Sequence, residues 1–156
     1  MIDEGTPAPD FSLRADTGET VTLASLRGRP VVLYFYPKDD TPGCTTEACE
    51  FRDAFPRFDQ SNAVILGVSP DTVESHQAFR DKFQLPFRLL ADEDHAVAEQ
   101  YGAWQEKNMY GKRFWGIQRS TFVIDRDGTV AKVYRRVKAA GHADKVAEVV
   151  AGLGAS

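Results

Sequence analysis

Apolar and polar residues alternate over Phe11-Ser12-Leu13-Arg14 and again over Val21-Thr22-Leu23, on either side of Asp16-Thr17-Gly18. A period of two around a glycine-containing turn predicts a small N-terminal β-hairpin. After Pro30 the pattern changes to Val31-Val32-Leu33-Tyr34-Phe35-Tyr36, a run with no polar interruption. Such a run predicts a central strand buried on both faces. A polar loop over residues 37–43 follows. Then Cys44, Ala48, Phe51, Phe55 and Phe58 recur at spacings of 4, 3, 4 and 3, which is one face of a helix. Pro56 has no N–H to offer the carbonyl of Arg52, so a kink is expected one turn beyond Phe51.

A second uninterrupted run, Val64-Ile65-Leu66-Gly67-Val68-Ser69, predicts another buried strand. Pro70-Asp71 then opens a helix carrying Val73, Phe79 and Phe83. A short strand is expected over residues 86–90 and a short helix over residues 94–101. Residues 120–124 and 129–134 alternate well and are joined by Asp125-Arg126-Asp127-Gly128, a hairpin signal. Val146, Val149, Val150 and Leu153 make the closing segment from His142 an amphipathic helix. This order of elements implies an α/β protein with a mixed central sheet and helices on both faces. The thioredoxin-like fold is one such architecture, and periodicity alone does not select it.

The 156 residues contain no repeat, low-complexity tract or linker, so they are expected to form one domain. Lys and Arg total 19 against 23 for Asp and Glu, a net charge of −4. That balance argues against nucleic-acid binding and against a polybasic membrane patch. Apolar runs fall far short of the ~20 residues that span a bilayer. The N-terminus, Met1-Ile2-Asp3-Glu4-Gly5, has neither the basic region nor the apolar core of a secretory signal, and a cytoplasmic location is expected.

Cys44 and Cys49 are the only cysteines. Spacing alone leaves three readings open: unrelated buried thiols, part of a metal site, or a redox pair. Cys44 falls where a buried strand has passed through a short loop into a helix. A thiol there meets unpaired backbone N–H groups and the positive end of the helix dipole, both of which favour a thiolate. Thr41 is close enough in sequence to aim a hydroxyl at that sulfur or at an oxygen bound to it. Gly43 permits a close backbone approach. A blander reading is that Cys44 only continues the apolar stripe through Ala48 and Phe51.

The string Pro37-x-x-x-Thr41-x-x-Cys44 resembles the active-site signature of the peroxiredoxins, thiol peroxidases of thioredoxin-like fold. The longer stretch Tyr36-Pro37-Lys38-Asp39-Asp40-Thr41-Pro42-Gly43-Cys44-Thr45-Thr46-Glu47-Ala48-Cys49 is similar to the peroxiredoxin Q, or bacterioferritin comigratory protein, subfamily. Met109-Tyr110-Gly111-Lys112, Gly116-Ile117-Gln118-Arg119-Ser120-Thr121-Phe122, Val137-Lys138 and Gly141-His142 extend the likeness over nearly the whole chain. Trp115 departs from it, standing where many relatives carry Met.

The resemblance implies that Cys44 is the peroxidatic cysteine and Cys49 the resolving one. It implies that Thr41 and Arg119 hold a peroxide and polarise its O–O bond, that Pro37 shields the sulfur from water, and that Glu47 orients the arginine. It further implies hydrogen peroxide and organic hydroperoxides as substrates and thioredoxin or a related dithiol as reductant. No cofactor or metal is implied, and resolution within one chain implies a monomer.

Two rivals remain at this level. A metal site is disfavoured because His76, His95 and His142 are scattered, each reading as a helix-surface or capping residue. A disulfide oxidoreductase would carry Cys-x-x-Cys, which is absent. A peroxide sensor or redox-regulated binding module could use the same cysteine pair. The carboxylates Asp39-Asp40 and Asp92-Glu93-Asp94 read as solvated loop and helix-start residues.

Overall fold

The computed structural model describes residues 2–153. The N-terminal hairpin forms as β1 (Ser12–Ala15) and β2 (Thr20–Thr22). The apolar run becomes β3 (Val31–Phe35), every residue of it buried. It lies parallel to β4 (Val64–Ser69) and antiparallel to β8 (Ser120–Ile124). With β5 (Arg88–Ala91) and β9 (Val130–Tyr134), these strands make a seven-stranded mixed sheet in the order β2-β1-β5-β4-β3-β8-β9.

Successive residues of β3 serve opposite cores. Val32 and Tyr34, with Tyr36 just beyond the strand, face a core that includes residues of α1 (Pro42–Asp53), α2 (Phe55–Gln60), α3 (Val73–Phe83) and α5 (His142–Leu153). Val31, Leu33 and Phe35 face a second core closed by α4 (Ala96–Gln100) and the N-terminal segment. Helices therefore cover both faces, and the fold is thioredoxin-like.

Two local features place α1. A Cβ on Gly67 would lie 2.9 Å from the hydroxyl of Tyr34, so only glycine lets that tyrosine lie across β4. Tyr34 then stacks on Phe51 at 4.8 Å between ring centroids and holds the middle of α1 to the sheet. The expected disturbance at Pro56 is a break: α1 stops at Asp53, and α2 restarts at Phe55 with the proline in its first turn.

One element is new. β6 (Trp104–Met109) and β7 (Lys112–Ile117) pair in a separate two-stranded sheet. Its turn residues Tyr110 and Gly111 both have positive φ, at 53° and 79°. Two such residues are what a two-residue hairpin turn needs. The hairpin escapes pattern reading because most of it is solvated; its base alone packs, through Trp104 and Ile117. Trp115 on β7 is 58% exposed, a solvated position.

Candidate active site

Strand β3 delivers the chain to a loop over residues 36–41, and Thr41 caps the start of α1 with extended backbone. Pro42 occupies the first helical position, where its missing N–H costs nothing. Cys44 is the third residue of the helix, 2% exposed. Its position in the first turn agrees with the expectation from sequence.

Arg119 lies in the link between β7 and β8, beside the end of β3, since Ser120 pairs with Phe35. Its carbonyl accepts from Val137 N–H at 2.9 Å, which fixes the backbone under the side chain. Nη1 donates to Glu47 Oε1 at 2.7 Å, and Nη2 donates to Cys44 Sγ at 3.3 Å. Cys44 and Glu47 are three residues apart on one helix face, so one guanidinium reaches both. Gly43 leaves room for it: a Cβ there would sit in tight contact, 3.2 Å from Nη2. The isolated arginine thus bridges Cys44 in the first turn of α1 and Glu47 one turn further on, and is not a surface charge.

Thr41 is half-buried at the end of the loop. Its hydroxyl donates to the carbonyl of Lys38 at 2.8 Å rather than to the sulfur. With its proton committed there, Thr41 Oγ1 is left able to act only as an acceptor. Pro37 is half-buried at the start of the loop. Cys49 is half-buried on the same helix as Cys44, and both thiols are free. Five helical residues rise about 7.5 Å and turn about 140°, which carries the second thiol to another side of α1.

Lys107, on β6, has no signal in the sequence beyond a polar stretch. Burial and the like charge of Arg119 hold its ammonium below the usual lysine range, while Cys44 pulls the other way. It adds a second positive charge to the field around the sulfur.

Several sequence expectations are corrected here. Asp39 and Asp92 are not solvated; they are 7% and 1% exposed. Asp92 accepts the N–H groups of Val97 and Ala98 at 3.2 and 2.9 Å, capping α4 from inside the fold. His76 and His142 are not surface residues, being 0% and 5% exposed. His95 stacks on Trp104 at 3.8 Å. Polar side chains are buried where another element brings them partners, which sequence spacing does not display. Asp39, Asp71 and His76 bring potential ligand atoms within 4.8 Å of one another. Those atoms are already engaged by protein hydrogen bonds.

Two buried groups make opposite demands on pH. Burial pushes the Glu47 carboxyl from 4.5 up to about 7, although the Arg119 guanidinium pulls it down. Burial, with Lys145 and Arg119, pushes His142 from 6.5 down to about 4. A raised acid stabilises the fold fully below its unfolded value, and that contribution is lost as pH rises through the folded value. A depressed histidine contributes above its unfolded value and loses the contribution as pH falls through the folded one. The two offset each other between about pH 4 and 7. Glu47→Gln removes only the first. Its stability relative to wild type should therefore rise by roughly 3 kcal/mol between pH 4.5 and 7, at 1.36 kcal/mol per unit. Urea unfolding of both proteins at the two ends of that window measures it, and a pH-independent difference would contradict the assignment.

A thioredoxin-like sheet that presents a helix-start thiol to a half-buried arginine defines a thiol-dependent peroxidase. The chain belongs to the AhpC/TSA family, whose sequence profile matches residues 5–133. It is 51% identical over 152 residues to a putative peroxiredoxin Bcp of Coxiella burnetii, covering 97% of this chain and 99% of that one. Against peroxiredoxin Bcp of Bacillus subtilis it is 52% identical over 141 residues, 90% of each chain. Among solved structures, the bacterioferritin comigratory protein of Xanthomonas campestris superposes with a TM-score of 0.91 at 42% identity. That likeness covers 97% of this chain and 99% of the other.

Proposed function

We propose that Cys44 is the nucleophile that attacks the peroxide and that Cys49 resolves the product within the same chain. The thiolate of Cys44 attacks the distal oxygen, forming an S–O bond as the O–O bond breaks and an alkoxide or hydroxide leaves and takes up a proton. Cys44 becomes a sulfenic acid. Cys49 then condenses with it, forming the disulfide and releasing water. An external dithiol, thioredoxin or a relative of it, reopens the disulfide and is itself oxidised. The observation that carries this reading is Arg119, which donates to Cys44 Sγ and is locked by Glu47. Its remaining N–H groups stay charged at any working pH and can follow the negative charge onto the leaving oxygen.

Hydrogen peroxide and organic hydroperoxides are the substrates; the Xanthomonas campestris relative is described by its alkyl peroxide reduction activity. Because both cysteines lie on one helix, resolution needs no second subunit, which supports a monomer. Thr41 Oγ1 accepts a hydrogen bond from the hydroperoxide O–H, and Pro37 and Glu47 act by shielding the sulfur and orienting Arg119.

Resolution requires α1 to open. Regular helix puts the two Cα atoms roughly 8–9 Å apart, beyond the ~6.8 Å limit for a disulfide. Opening must lift Phe51, which is fully buried and stacked on Tyr34. Amide exchange over residues 44–53 should therefore be at least about tenfold faster in the disulfide form than in the dithiol form. Mass spectrometry verifies the Cys44–Cys49 bond. Equal protection in the two states, with the bond verified, would refute the opening step.

A further inference from the structure

Asp39 is the middle residue between Pro37 and Thr41, and its buried carboxylate is the hub of a network that the peroxidase chemistry leaves unused. Oδ1 accepts from the Tyr36 hydroxyl at 2.6 Å. Oδ2 accepts from the Ser75 hydroxyl at 2.8 Å and stands 2.7 Å from His76 Nδ1. The N–H of Asp39 donates to Asp71 Oδ2 at 2.8 Å, and Ser69 donates to that same oxygen at 2.6 Å. His76 is fully buried on α3, with Nε2 2.9 Å from the carbonyl of Leu90 on β5.

The proton count follows from these partners. A carbonyl only accepts, so His76 Nε2 carries a proton. At 2.7 Å, Nδ1 and the carboxylate also share one. The pair is therefore neutral overall, as ion pair or as acid and imidazole, and its burial leaves no net charge uncompensated.

The network ties the loop to three other elements: the end of β4, α3 and β5. The loop needs such restraint. Asp40 is held at φ 57°, a left-handed conformation that costs a non-glycine residue energy unless its surroundings impose it. Two residues on from Asp39, Thr41 must aim its oxygen and start α1 under Cys44.

We infer that the buried Asp39–His76 pair is a positioning element for the peroxide reaction, acting through the loop over residues 37–41 on Thr41 and on the first turn of α1. This rests on the assignment of Cys44 as nucleophile. Neither residue touches the peroxide. The pair sets where the acceptor Thr41 Oγ1 and the sulfur stand relative to each other, and so how well the O–O bond lines up for attack. Misplacement by about 1 Å costs on the order of 100-fold in rate.

The test uses the full chain carrying Cys49→Ser, so that only Cys44 reacts. Two rates are measured at one pH: oxidation of Cys44 by hydrogen peroxide, and alkylation of Cys44 by iodoacetamide. Alkylation needs a thiolate but no alignment with Thr41. Asp39→Ala should slow oxidation by about 10- to 100-fold and change alkylation by no more than about threefold. Asp39→Asn should restore oxidation to within about threefold, because its amide accepts from Tyr36 and donates to a neutral His76 Nδ1. Ser75→Ala removes a single hydrogen bond from a half-buried helix position and keeps the test open should Asp39→Ala not fold. It should slow oxidation by roughly threefold with alkylation unchanged. Parallel loss of both rates, or undiminished oxidation in the alanine variants, would overturn the inference. Oxidation as slow in Asp39→Asn as in Asp39→Ala would do the same. Failure of the Cys44 assignment shows separately, as a parent protein that peroxide does not oxidise.

Discussion

Cys44→Ser should consume no peroxide at all, and Cys49→Ser should consume one equivalent and stop. A serine hydroxyl at residue 44 keeps the volume and the polar contact with Arg119, but it is not ionised near neutral pH and is a poor nucleophile toward oxygen. The step therefore vanishes rather than slows. Cys49→Ser leaves the sulfur, Glu47 and Arg119 in place, so a sulfenic acid forms at full speed with no thiol in the chain to condense with it. A coupled assay that follows dithiol consumption separates turnover from a single oxidation. It thereby separates an enzyme from a sensor that is oxidised once. Near-normal turnover by Cys44→Ser would refute the assignment.

Arg119→Met should slow oxidation of Cys44 by about 10²–10³, the usual loss on removing one donor aimed at developing negative charge. Methionine fills much of the same space and removes only the donors. Glu47 is then left buried beside an apolar side chain, and burial alone drives it to its neutral form, so the fold should survive. Arg119→Lys should not rescue the rate, because an ammonium is a point donor and cannot engage the Glu47 carboxylate and the sulfur with one planar fork. Stopped-flow oxidation at several peroxide concentrations gives the second-order constant. An unchanged constant in Arg119→Met would show that the 3.3 Å contact with Cys44 has no part in the reaction.

Much of the scaffold was legible because burial leaves a trace in side-chain type. A strand covered on both faces needs apolar residues at every position, and β3 and β4 show this. A helix with one covered face repeats at three and four, as α1 does from Cys44 through Phe51. Proline has one backbone consequence wherever it stands, so the break near Pro56 could be placed. The β6–β7 hairpin left no such trace, since it buries little besides Trp104 and Ile117.

The sequence by itself determined the order of the strands and helices around the main sheet, the placing of Cys44 in the first turn of a helix, and the resemblance carried by Pro37, Thr41 and Cys44. These follow from local rules or contiguous residues. Tertiary structure alone decided that Arg119 reaches a sulfur 75 residues away, that Gly43 admits it, and that Asp39 is buried against His76 rather than hydrated. A polar side chain has the same local signature whether water or a distant residue satisfies it. Only the packing of β8 beside β3, and of α3 against β5, settles which partner it meets.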